Sequence, residues 1–209
     1  MSPIRLVIFA KAALPGMAKT RLVPALGQQG AAALAAVMLA HTVAEAVRAQ
    51  IGTVELCVTP ASSAFWQGLQ LPPAVQITDQ GEGDLGQRMA RAAARVVAAG
   101  DAVLLIGTDC PALDATQLQH AAAALKDADA TLIPAFDGGY VLLGLTRFDA
   151  SVFSGIVWST GSVKNDTLQR LAQLGWRVKT LATLHDIDEP ADLQHLPPHW
   201  RTFMAAQPR

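Results

Sequence analysis

The sequence predicts a single-domain α/β protein with a mostly parallel central sheet and helices on both faces. Short β-branched apolar runs alternate with longer Ala-rich stretches of helical spacing. The chain is 51% apolar and only 16% charged, which suits strands covered on both faces. At 209 residues, with no internal repeat, linker or charge block, it is long enough for one packed core and short for two. The domain is expected over residues 1–196, with a poorly patterned, Pro-containing tail at 197–209.

Each element has a local reason. Ile4 to Phe9 is a buried first strand, and Gln28 to Gln50 lacks proline and repeats Ala, Leu and Val at helical spacing. Val54 to Val58 is a second strand closed by Thr59-Pro60, and Ser62 to Leu69 is a short helix. Val75 to Thr78 is a weaker strand leading through a loop of turn residues into a helix from Leu85 to Ala99. Ala102 to Ile106 is wholly apolar and ends at Gly107-Thr108-Asp109-Cys110-Pro111. Asp114 or Thr116 caps the next helix, to Leu125. Ala130 to Ala135 and Tyr140 to Leu145 flank Asp137-Gly138-Gly139, which reads as a tight turn. Thr160 or Ser162 caps a helix to Leu174, Arg177 to Leu181 is a late strand, and Pro190 opens a last helix through Leu196.

Composition excludes several classes. Sixteen Lys and Arg against 17 Asp and Glu give a net charge of -1, with no global field for nucleic acid or an anionic membrane. The apolar run from Ala31 to Val47 is interrupted or flanked by Gln28, Gln29, His41, Glu45 and Arg48, and so reads as a core helix rather than a membrane span. Cys57 and Cys110 form no C-x-x-C pair, and the five histidines show no metal-ligand spacing, which argues against zinc or a disulfide framework. A reducing cytoplasm fits, and no signal peptide is expected. Cys110 has no identifiable activating histidine and reads as a packed residue.

The stretch Lys11 to Leu22, KAALPGMAKTRL, follows the first strand and gathers three cations around a Pro15-Gly16 turn. At a strand's carboxyl end it suits a polyphosphate: Gly16 lets backbone N–H groups approach an anion, while Lys11, Lys19 and Arg21 supply charge. A Walker A loop is excluded, because the register set by Lys19-Thr20 places Ala13 and Ala18 at its glycine positions. A solvated basic surface loop is the plainer alternative. Asp109 ends an apolar strand, where an unpaired carboxylate is costly unless it meets solvent, a cation or a metal. Asp186 and Asp188, two apart in an extended run, share a face. Asp109 with Asp188, or with Asp186 as the second ligand, suits Mg²⁺ or Mn²⁺, which take few protein carboxylates and complete their shells with water and phosphates. Equally, Asp109 can shape its own turn and Asp188 can cap the last helix. Asp137-Gly138-Gly139-Tyr140 offers bare backbone and two polar side chains to a substrate, or simply a hairpin. Between Gln80 and Arg88, Gln80 is a candidate reader of a base and Arg88 of a phosphate or carboxylate, or both are solvated. Trp158 is a packing residue or a stacking surface.

Five ordered blocks then carry a resemblance over nearly the whole chain: Lys11 with Pro15-Gly16 and Lys19-Thr20-Arg21-Leu22; Gly83-Asp84-Leu85-Gly86 with Arg88-Met89; Gly107 to Pro111; Asp137 to Tyr140; and Asp186-Ile187-Asp188 ahead of Asp192-Leu193. On these the chain resembles the bacterial nucleotide-diphospho-sugar transferase-like family, which includes proteins assigned to arsenosugar biosynthesis. That family is similar in turn to 2-phospholactate and molybdenum-cofactor guanylyltransferases. The resemblance implies a Rossmann-like glycosyltransferase-A fold whose opening loop holds triphosphate and whose metal positions match Asp109 and Asp188. The opening loop is closer to the Lys-Ser-Arg-Leu form of the phospholactate enzymes, with Thr20 in place of serine. The Asp-x-Asp pattern of many sugar transferases is missing at the central strand, and Asp186-Ile187-Asp188 has that spelling late in the chain.

The expected reaction is Mg²⁺- or Mn²⁺-dependent nucleotidyl transfer from a nucleoside triphosphate to a small phosphorylated acceptor. Glycosyl transfer from a nucleoside-diphosphate sugar, with Asp137 as base, and a nucleotide-binding module without turnover are the alternatives. Nucleotide contacts are expected from Lys11, Pro15, Gly16, Lys19, Thr20, Arg21, Gln80, Gly83, Leu85 and Arg88. Acceptor contacts are expected from Asp137, Gly138, Gly139, Tyr140 and Trp158. A homodimer is left open by the sequence.

Overall fold

The protein is described by a computed structural model over residues 3–200, so residues 201–209 of the expected tail lie outside the described residues. Eleven regular elements follow in order: β1 (Ile4–Lys11), α1 (Val23–Arg48), β2 (Thr53–Thr59), β3 (Val75–Asp79), α2 (Leu85–Ala98), β4 (Ala102–Ile106), α3 (Ala115–Ala124), β5 (Ala130–Pro134), β6 (Tyr140–Leu145), α4 (Val163–Gln173) and β7 (Val178–Thr180). The seven strands pair in the order β3-β2-β1-β4-β6-β5-β7. β1 runs parallel to β2 and β4, and β2 to β3, while β6 alone runs antiparallel to its neighbours β4 and β5. The Asp-Gly-Gly turn expected between β5 and β6 is therefore a hairpin connection, with a register shift at Ile133/Pro134.

Alternating side chains divide the interior between the sheet's faces. Leu6 and Ile8 of β1 join Leu39 and Val43 of α1 and Leu118 of α3 on one face. Val7 joins Met89 and Val96 of α2 and Leu171 of α4 on the other. Each fully buried side chain of this kind stabilises the fold by about 1.5–3 kcal/mol relative to exposure. A third cluster, with Leu22, Leu34, Met38, Ile187, Leu196 and Trp200, packs the chain's late segment against the start of α1. The segment Thr20–Arg48 is long and apolar enough to cross a bilayer, yet 56% of its most apolar window is buried within the protein.

Several boundaries differ from expectation. Gly27, at φ 70° and ψ 169°, interrupts α1, so its continuous body begins at Gln28 after a short preceding turn. The expected helix at Ser62 to Leu69 is a 3-10 turn, Ala64–Gly68, with the Ser63 hydroxyl accepting from Phe65 N–H. Asp114, not Thr116, caps α3 by accepting from Gln117 N–H. Ser162 precedes α4 but makes no capping bond; its hydroxyl donates to Asp166 instead. The last helix is also a 3-10 turn, Pro190–His195, with Glu189 at its N-cap, so Asp188 is not consumed as the cap. Within β2, Glu55 is 1% exposed. Its charge is compensated by Arg95, by Arg5 at 3.7 Å and by a hydroxyl donated from Thr78 at 2.6 Å.

Gly144 of β6 sits where a Cβ would lie 2.5 Å from Thr131 Cγ2 and 2.6 Å from Leu104 Cδ2. Gly144→Ala is expected to destabilise the fold by about 1–3 kcal/mol through overpacking, measured by urea or thermal unfolding. An unchanged stability would mean that the sheet relaxes around the methyl group.

Candidate functional site

The site forms where the sheet's winding reverses. β1 leads through α1 to β2 on one side, whereas the chain returns from β3 through α2 to place β4 on β1's other side. A crevice opens beyond the carboxyl ends of β1 and β4 at such a point. The opening loop leaves β1 and Asp109 leaves β4, so both enter this crevice. The segment carrying Asp186 and Asp188 is tied alongside by Ile187 N–H, which donates to Asp109 O at 2.8 Å. The cavity has a volume of about 330 Å³.

Lys19 lies behind the cavity's lining, at the centre of an ion-pair network. Its ammonium is 2.6 Å from Asp109 Oδ1 and 3.5 Å from Asp188 Oδ1, and it also donates to Ile187 O. The Lys19 side chain is 6% exposed, against 51% for Asp109 and 42% for Asp188. Arg21 completes the network, with Nη1 2.7 Å from Asp188 Oδ2. Lys11 is exposed at the end of β1 and makes no ion pair among the described residues.

Asp186 and Asp137 are the lining carboxylates that make no ion pair among the described residues. Burial, then the negative charges of Asp137, Asp109 and Asp192, push the pKa of Asp186 up to about 6, partly offset by its own backbone N–H. Asp137 Oδ1 accepts from Gly139 N–H at 2.8 Å, which leaves Oδ2 outside this turn bond. Gly138 adopts φ 93° and lies against the 159–161 segment: a Cβ there would stand 2.2 Å from Gly161 O. That close approach demands glycine at this position.

The lining also holds the apolar side chains of Phe9, Leu85, Met89, Val141, Trp158 and Val163. Gly86 lets α2 approach Trp158, because a Cβ there would lie 2.5 Å from the indole Nε1. Ser159, in the left-handed region at φ 64°, and Thr160 also line the cavity. Sequence reasoning missed Ser159 altogether and saw Thr160 only as a capping residue. No local sequence signal marked either, since both are set by the turn after Trp158.

Of the expected site residues, Arg21, Leu85, Asp109, Asp137 and Gly139 line the cavity, as do Tyr140, Trp158, Asp186 and Asp188. Lys19 stands behind the carboxylates. Lys11, Pro15, Gly16, Thr20 and Gly138 lie off this lining, as do Gln80, Gly83 and Arg88. Gln80 is 5% exposed and spends its amide N–H groups on Ala10 O and Cys57 O. Its carbonyl faces Arg88 Nη1 at 3.4 Å, while Arg88 Nε donates to Gly83 O at 2.8 Å. This bracket braces the start of α2 and leaves the Gln80 amide nitrogen no donor for a base. Tyr140 lines the cavity with its ring, but its hydroxyl is buried beside Thr167. That burial raises the phenol's pKa and turns its polar end away from a substrate. Cys110 is buried 5% exposed, and desolvation pushes its thiol up to about 12, far from a nucleophile's range. His185 is stacked between Phe136 and His195, with ring centroids 3.8 and 3.7 Å apart, in no metal-ligating arrangement.

The raised Asp186 pKa has a stability signature. Between the ordinary carboxylate range and about pH 6 the folded state holds more protons than the unfolded state, so stability falls as pH rises through that window. In chelator-treated protein, Asp186→Asn should therefore raise Tm above pH 6, with the gain shrinking toward pH 4. A gain independent of pH would assign it to packing rather than charge.

The model of a family described as "Uncharacterized protein conserved in bacteria (DUF2064)" matches residues 42–160. A search of curated proteins returned no significant match. Among solved structures, a "putative nucleotide-diphospho-sugar transferase" from Desulfovibrio desulfuricans G20 is 30% identical, covers 95% of this chain and 88% of its own, and superposes with a TM-score of 0.87. Rv0371c from Mycobacterium tuberculosis H37Rv, in complex with manganese, is 18% identical over 93% of this chain and 98% of its own, with a TM-score of 0.54. A CMP:2-keto-3-deoxy-manno-octonic acid synthetase complexed with CTP is 14% identical over 98% and 99%, with a TM-score of 0.56. The last two share the fold. The extent of the family match and of the Desulfovibrio alignment together show that this chain belongs to the bacterial DUF2064 family and, with that relative, to the nucleotide-diphospho-sugar transferase superfamily.

Proposed function

We propose that the protein transfers a nucleotidyl group from a nucleoside triphosphate to a small phosphorylated acceptor. The observation that carries this reading is the meeting of Lys19 and Arg21, from the loop after β1, with Asp109 and Asp188 in a crevice of nucleotide-compatible size. The CTP complex of a protein with this fold supports it.

The donor set also fits a divalent cation. Its candidates are hard carboxylate oxygens, two of which already bracket one positive charge, and the excess acidity around Asp186 favours another cation. Among the described residues no group of three or more metal-ligating side chains is preassembled. Asp109 and Asp188 would therefore hold the ion with water and substrate phosphates, as Mg²⁺ and Mn²⁺ allow. A bound ion would draw charge from the phosphoryl oxygens and orient them.

The remaining chemistry falls to the chain. Arg21, which lines the cavity, and Lys19 of the same loop supply positive charge to the phosphate oxygens and stabilise the charge that develops there. An acceptor phosphate oxygen attacks the α-phosphorus, the bond from that phosphorus to the oxygen bridging it to the β-phosphate breaks, and pyrophosphate leaves with the electron pair. The acceptor phosphate is already ionised, so no general base is required. The apolar lining with Trp158 excludes water and offers a flat surface to a ring. The 30% identical relative named as a sugar transferase favours a second reading, in which a nucleoside-diphosphate sugar occupies the same crevice and Asp137 Oδ2 takes the proton of an acceptor hydroxyl.

Thermal-shift titrations with Mg²⁺ and each nucleoside triphosphate or nucleoside-diphosphate sugar separate these readings. A triphosphate at about 100 times its Kd should stabilise the protein by about 2.7 kcal/mol, and Asp109→Asn should abolish the metal-dependent part of that gain. Stabilisation by sugar nucleotides alone would favour glycosyl transfer, and none by either class would reject both.

A further inference from the structure

The geometry points to Lys19 as a resident counter-ion of the Asp109–Asp188 pair, which an arriving divalent cation displaces and thereby frees to bind substrate phosphate. This rests on the metal-nucleotide reading above and adds an order of events to it. The first support is donor count. An ammonium has three N–H donors, and those of Lys19 are matched by Asp109 Oδ1, Asp188 Oδ1 and Ile187 O. A lysine so engaged has no donor left for a phosphate oxygen.

The second support is the contrast in exposure. The Lys19 side chain is 6% exposed, while its carboxylate partners are 51% and 42% exposed and line the open cavity. A second cation can therefore reach the carboxylates from solvent, on the side away from Lys19. Two positive charges within about 4 Å of each other repel, so the carboxylates cannot hold both equally well. The third support is the backbone. Lys19 has φ 49° and ψ 43°, a left-handed conformation that a residue with a side chain keeps only where its surroundings hold it. Loss of the side-chain anchors removes that restraint and lets the loop carry the ammonium toward Lys11 and Arg21.

Manganese alone is the probe, titrated into nucleotide-free wild type, Lys19→Met, Lys19→Gln and Asp109→Asn and followed by the EPR signal of the free ion. Both Lys19 variants are expected to bind Mn²⁺ at least tenfold more tightly than wild type, and Asp109→Asn to bind none. Equal or weaker binding by folded Lys19 variants would overturn the counter-ion role while leaving the metal reading of the site intact. Absence of Mn²⁺ binding in every protein would overturn both. In a second measurement, Lys19→Met should weaken binding of a nucleoside triphosphate tenfold or more in the presence of Mn²⁺, and by less than twofold in its absence. Equal weakening under the two conditions would show that Lys19 reaches phosphate without being displaced.

Discussion

The ammonium of Lys19 ties together three parts of the chain: the loop after β1, the end of β4 and the late segment already held to Asp109 by the Ile187 N–H. Its contacts run to the end of β4 through Asp109 and to the late 185–188 segment through Ile187 O and Asp188, while its own backbone belongs to the loop after β1. Ile187 contributes from below, since its side chain is fully buried with Leu22, Leu34 and Trp200. The polar crossing therefore stands on an apolar footing, and the depth of the crevice depends on both. A buried ammonium without partners would be strongly disfavoured, so the carboxylates and the carbonyl are conditions for that side chain's place.

The cavity's lining combines two kinds of side chain. Carboxylates come from the end of β4, the β5–β6 turn and the late segment, and apolar side chains from Phe9, Leu85, Met89 and Trp158. The combination follows from the sheet. Residues just past a strand's carboxyl end are free to be polar, whereas Phe9 within β1 and Met89 on α2 belong to the apolar packing of one sheet face. A ligand with a charged end and a flat or apolar end would satisfy both kinds at once.

Much of this was legible in the chain. The alternation of apolar runs and Ala-rich helices gives the βαβ order through β4, and the strand ends locate Lys19, Asp109 and Asp188 at one edge before any distance is known. What could not be read is how polar groups are spent. Gln80 looks like a free amide in a loop of turn residues, but the close approach of β1 and β2 gives it two carbonyls to satisfy. Tyr140 follows a glycine turn and looks available, yet β6 points its hydroxyl inward toward α4. Glu55 interrupts an apolar strand with no visible partner, since Arg95 comes from a helix 40 residues later. Each outcome depends on which elements become neighbours across the fold, and residue spacing along one element carries no record of that.

The reversed direction of β6 has a consequence for how such a site can diversify. In an all-parallel sheet every loop at the ligand edge also begins a crossover, so changing its length disturbs a helix and the next strand. Here the Phe136–Gly139 turn rises to that edge and descends again within a single hairpin, delivering Asp137 and Tyr140 to the cavity on the way. The excursion is short, but Gly138 is fixed by its approach to Gly161 O and Phe136 by its stack on His185, so within this turn Asp137 is the position whose exchange disturbs the scaffold least.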